Sequence, residues 1–128
     1  MYAIVYPVTG TPVTQGSKRH VGGGRMIESA RGWREWRNLV HAASAEQTDL
    51  TDTVLGPVRV TLEFRFTRPA KPRHNYPTKD LDKLCRAVLD GMVTGGIIED
   101  DKHVTHLRAS KTWVTDQQPG VLIRIDPA

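Results

Sequence analysis

The chain has 128 residues and a formal net charge of +4 at pH 7, enough for one domain with a real core and too few for two. Its isoelectric point near 9.5 favours a polyanionic partner, although basic charge of this size does not by itself single out nucleic acid. Cys85 is the only cysteine, which excludes an internal disulfide. No Cys or His pair has zinc spacing, and no apolar run approaches membrane-span length. The opening Met1-Tyr2-Ala3-Ile4-Val5-Tyr6-Pro7 lacks the basic start and long apolar centre of a signal peptide, so a cytoplasmic location is expected.

In chain order, residues 2–8 are apolar and β-rich and predict a first strand. Residues 9–25 predict a loop. It holds Gly16-Ser17-Lys18-Arg19-His20 and then Gly22-Gly23-Gly24-Arg25. Backbone amides in such a stretch can cradle phosphate, but the fixed spacing of a P-loop is absent. A mobile surface loop is the plain alternative. Residues 29–47 predict a helix with Trp33, Trp36, Val40 and Ala43 on one side and Arg31, Arg34 and Arg37 elsewhere. The tryptophans are expected in the core rather than as base-stacking platforms. The arginines either meet a phosphate backbone or are solvated. Residues 48–57 predict a connecting loop.

Val58, Val60, Leu62, Phe64 and Phe66 alternate with Arg59, Thr61, Glu63, Arg65 and Thr67, the mark of a half-buried strand. Pro69, Pro72 and Pro77 then rule out regular structure over residues 68–77. This segment is either a linker or, through Arg68, Lys71, Arg73 and His74, a phosphate contact, with Tyr76 able to stack on an unpaired base.

The richest stretch runs from Thr78 to Val104. Leu81, Leu84, Cys85, Val88, Leu89 and Met92 recur at helical spacing and predict one buried stripe, with Cys85 as a small core residue. Asp82, Arg86 and Asp90 are spaced by four and share another face. Thr78 or Asp80 can cap the start, and Gly95-Gly96 ends the helix. Ile97-Ile98 and the acids Glu99, Asp100 and Asp101 follow. A helix of about 14 residues is roughly 20 Å long, so a chain running back along it brings Asp101 beside Asp80 and Asp82. Carboxylates that close repel one another, and a divalent cation such as Mg²⁺ or Mn²⁺ relieves the repulsion. Acids favoured by the helix dipole and a solvated acidic loop are the alternatives. An EF-hand is excluded by its missing ligand offsets. Residues 103–113 and 121–125 predict two closing strands around a turn at 116–120, expected to pair as a hairpin. The fold class is α/β: a single domain over residues 1–128, ordered β-α-β-α-β-β, with a mixed sheet of about four strands and two main helices.

These motifs resemble the RusA family of Holliday junction resolvases, common in bacteriophages and prophages. Its pattern is roughly Asp-x-Asp-Asn-x-x-Lys-x-x-x-Asp, a Gly-containing turn, then Asp-Asp-x-x-Val. Asp80-Leu81-Asp82, Asp90, Asp100-Asp101 and Val104 match it, whereas Lys83 stands at the family's Asn and Arg86 at its Lys. The resemblance implies a RusA-like fold and a structure-selective endonuclease acting on four-way DNA junctions in recombination and repair, inside a bacterial host cell. It also implies Mg²⁺ (with Mn²⁺ accepted) on Asp80, Asp82 and Asp101, and a homodimer that presents two sites to a two-fold substrate. Lys83 and Arg86 are then candidates for holding the scissile phosphate. Arginine cannot deprotonate, so Arg86 points to charge stabilisation. Asp90 is either part of the site or a structural partner of Arg86. Lys18, Arg19, Arg25, Arg68, Lys71, Arg73, Lys79 and Lys83 are the expected DNA contacts. Two alternatives remain open: a nuclease for other branched DNA such as flaps or forks, and a junction-binding protein without catalysis.

Overall fold

The structure is a computed structural model that describes residues 2–16, 18–20, 26–28 and 31–128, without the side chains of 18–20 and 26–28. Its elements are strands β1 (Ile4–Thr9), β2 (Lys18–His20) and β3 (Met26–Glu28), helix α1 (Trp33–Thr51), strand β4 (Val58–Thr67), helix α2 (Leu81–Thr94), and strands β5 (Val104–Val114) and β6 (Gly120–Pro127). The expected order holds for the main sheet. The addition is the β2–β3 pair, which lies inside the segment read as loop.

The main sheet has the order β1-β6-β4-β5. β4 is central because its inward residues Val58, Val60, Leu62, Phe64 and Phe66 are all buried, and a strand so apolar on one face gains most where both its edges are paired. β5 runs parallel to β4, and β6 runs antiparallel to it. The expected β5–β6 hairpin therefore does not form. α2 carries the chain from the end of β4 back to its start, which sets β5 parallel on one edge. β6 is left to fill the space between β4 and β1.

Both helices contribute to one core with the inner face of the sheet. Trp36 and Val40 of α1 and Leu84, Val88 and Met92 of α2 are buried there, as is Cys85. Burial, with the charge of Asp82 second, pushes the Cys85 thiol up to about 11, consistent with an inert core residue. Trp33 behaves differently from Trp36. It stays half-buried, with the guanidiniums of Arg37 and Arg34 at 4.7 and 5.2 Å from its ring centre. The helices approach closely where α2 has glycine. A Cβ on Gly91 would lie 2.6 Å from Val40 Cγ1, and one on Gly95 would lie 2.6 Å from Ser44 Cβ. Buried Ser44 also meets the Tyr6 hydroxyl at 2.8 Å, which ties α1 to β1.

The end of α2 follows from its sequence. Gly96 adopts φ +83°, its amide donates to Val93 O, and the Ile97 amide donates to Met92 O. This is a Schellman ending, with apolar Ile97 closing over the last turn. The chain does not then run back along the helix. It passes the segment that follows α1, where the Val54 amide donates to Ile97 O and Val54 and Ile98 form an isolated parallel bridge. It is β5, starting at Val104, that returns alongside α2.

Candidate active site

Asp80 is the N-cap residue of α2, but its side chain makes no capping bond. It is exposed instead and meets Lys83 Nζ at 3.5 Å. Asp82 lies in the first turn and points to solvent. Arg86 is one turn further along the same face, and Asp90 is one turn beyond that, half-buried. The shared face expected from the spacing is therefore present.

Asp101 stands elsewhere. β4 and β5 are parallel, so α2 between them runs the opposite way. Asp80 and Asp82 sit where β4 ends, and Asp101 sits where β5 begins. Eight residues of helix separate Asp82 from Asp90, about 12 Å along the axis, and Asp90 is the helix acid whose charge Asp101 feels. Among the described residues, no three His, Cys, Asp or Glu side chains gather as a metal site. The expected convergence of Asp101 with Asp80 and Asp82 is thus not formed within one chain. Their oxygen chemistry suits Mg²⁺, and within one chain Asp101 stands apart from Asp80 and Asp82. At the Asp101 end, the Asp100 carboxylate accepts from the Lys102 amide at 3.0 Å, and this holds it below the usual carboxylate range. Its hydrogen bond to Asp101 pushes Asp101 the other way, helped by partial burial and by the charges of Asp100 and Asp90.

Of the two alternatives for Asp90, the pairing with Arg86 does not occur; Asp90 accepts from Gln15 Nε2. The Gln15 amide donates to Lys83 O at 3.0 Å, so this one residue clips the segment after β1 across two turns of α2. Its Oε1 is buried without a partner among the described residues. Next to it Gly16 lies under Arg86, in the space that a Cβ would need. No periodicity or motif marks Gln15, because its role depends on a contact 75 residues away in sequence.

The proline-rich segment before α2 is tied to β5. Lys111 Nζ donates to Lys79 O at 2.6 Å, and Trp113 Nε1 donates to His74 O at 3.0 Å. The rings of His74 and Tyr76 meet at a tilt of 38°, with centres 5.6 Å apart. Arg68, Lys71, Arg73 and Lys79 are all exposed along this fixed loop. Lys83 is partly occupied by Asp80. Arg25 and Gly22-Gly23-Gly24 lie outside the described residues, as do the side chains of Lys18 and Arg19. Among the described residues, no helix is long and apolar enough to cross a membrane.

Acids and a guanidinium on one exposed helix face, flanked by an anchored basic loop, define a domain suited to handling phosphates. The sequence model of the family described as Endodeoxyribonuclease RusA matches residues 7–126. The chain belongs to that family, and so to a family of DNA endonucleases. No curated protein matches the chain.

Proposed function

We propose that the chain is a structure-selective endonuclease that resolves four-way DNA junctions by paired nicks, acting as a homodimer in recombination or repair inside a bacterial cell. The family match over residues 7–126 carries this reading. The face shared by Asp82, Arg86 and Asp90 supports it. Arg86 would hold the scissile phosphate with a fork that stays charged at every working pH. Gln15, through Asp90 and Lys83, would keep the chain after β1 fixed on that helix face. Arg68, Lys71, Arg73 and Lys79 would grip the flanking backbone, and Tyr76 would stack on a base freed at the branch. Mg²⁺, or Mn²⁺ in its place, is the proposed cofactor, with Asp80, Asp82 and Asp101 as its ligands.

The separation of these carboxylates within one chain favours a second reading, a junction-binding protein that does not cut. One comparison separates the readings: labelled four-way junction, flap and linear duplex, each incubated with protein in Mg²⁺ and in Mn²⁺. Symmetric nicks in the junction alone support resolution. Cutting of flaps at the same rate contradicts junction selectivity, and binding without cutting in either metal contradicts the enzyme.

A further inference from the structure

The face of the main sheet turned away from the helices holds a groove of about 480 Å³. The strand register builds its floor. Asp126, Arg59 and His106 lie side by side on β6, β4 and β5, and Arg124, Thr61 and Arg108 form the next row. Residues two strands apart in one row are about 10 Å apart, so the guanidiniums converge on one small area.

A bulge sets the first row. Val58 faces Val104, but Arg59 faces His106, which leaves Thr105 without a partner. Bulges of this kind re-aim side chains at functional places. The Thr105 hydroxyl donates to Val58 O at 3.3 Å and stands 3.0 Å from His106 Nδ1. Arg124 is held by Asp126 at 2.9 Å. Among the described residues, no carboxylate lies within ion-pair reach of Arg59 or Arg108.

We propose that this groove binds phosphate groups of a DNA backbone, as a second contact surface apart from the helix face. Arginine forks match phosphate oxygens, and Thr61 adds a hydroxyl. No aromatic side chain lines the groove. A protein partner would be expected to find such an anchor, whereas a DNA backbone needs none. The groove lies at the start of β5, three residues beyond the Asp101–His103 turn. DNA held on the α2 side reaches it around that end of the sheet. The inference rests on the reading of the chain as a DNA nuclease.

The test is binding of labelled duplex and four-way junction between 50 and 200 mM salt, for the wild type, Arg59→Ala/Arg108→Ala and Arg59→Lys/Arg108→Lys. Each lost phosphate contact lowers the slope of log affinity against log salt by about 0.9. The alanine pair is expected to lose about 2 from the slope, and the lysine pair to keep most of it. Thermal melts check folding, and Arg108→Glu reads the same slope if the alanine pair does not fold. Equal slopes for wild type and the alanine pair overturn the groove and leave the nuclease reading standing. A wild type that binds no DNA overturns both. Poly-glutamate that displaces DNA from the wild type as well as unlabelled duplex does would assign the groove to an acidic protein segment and overturn the proposal.

Discussion

Tyr6 shows how one residue links burial to pH. Its hydroxyl is buried against Ser44, and burial pushes its pKa up to about 12, with the Ser44 hydrogen bond opposing. In the unfolded chain the group titrates near 10. Between those values the folded state keeps a proton that the unfolded state has lost, so stability falls as pH rises through that window. The full effect is about 2.7 kcal/mol at 1.36 kcal/mol per unit. Tyr6→Phe is expected to cost about 1 kcal/mol at pH 7 and to abolish this alkaline decline; urea melts at pH 7 and 11 check both. Asp82 is the opposite case. It is exposed on α2, so Asp82→Asn is expected to change stability by less than about 0.5 kcal/mol, and any lost activity then belongs to the site. At this scale the helix face of Asp82, Arg86 and Asp90 was legible because a period of 3.6 fixes it locally. Gln15 was not, because nothing local distinguishes a glutamine that bonds to a distant helix.

At the scale of elements, the contact between the helices rests on Gly91 and Gly95. Gly91→Ala places a methyl against Val40 and is expected to destabilise by about 1–3 kcal/mol through overpacking, read as a lower urea midpoint. The proline-rich loop depends on β5 in a different way. Trp113→Phe removes the bond to His74 O. It is expected to speed tryptic cleavage after Arg73 and to weaken DNA binding, while the core melts within about 1–2 kcal/mol of the wild type. Most elements were readable from pattern, because β4 alternates with period two and α2 carries a clean apolar stripe. Their pairing was not. Adjacent strands with a turn between them suggest a hairpin, yet β5 and β6 take opposite edges of β4. That choice depends on the crossover through α2, which no short window contains. The same crossover explains why Asp101 was expected beside Asp80 and Asp82. The segment after α2 does turn, but it bridges to Val54 before it returns as β5.

For the whole molecule, one four-stranded sheet separates two faces with different chemistry. The helix side carries the acids, Arg86 and the anchored basic loop. The open side carries the arginines of β4, β5 and β6. A formal charge of +4 spread in this way predicts DNA affinity that falls steeply between 50 and 200 mM salt. The proposed function has the chain cut four-way DNA junctions through the carboxylates of α2. Its most direct test is a labelled immobile junction incubated with wild type and Asp82→Asn, with and without Mg²⁺. Paired nicks that require the metal and disappear in the variant are expected, with junction binding retained. Junction binding by the wild type without cleavage in Mg²⁺ or Mn²⁺, or equal cleavage by the variant, would contradict it.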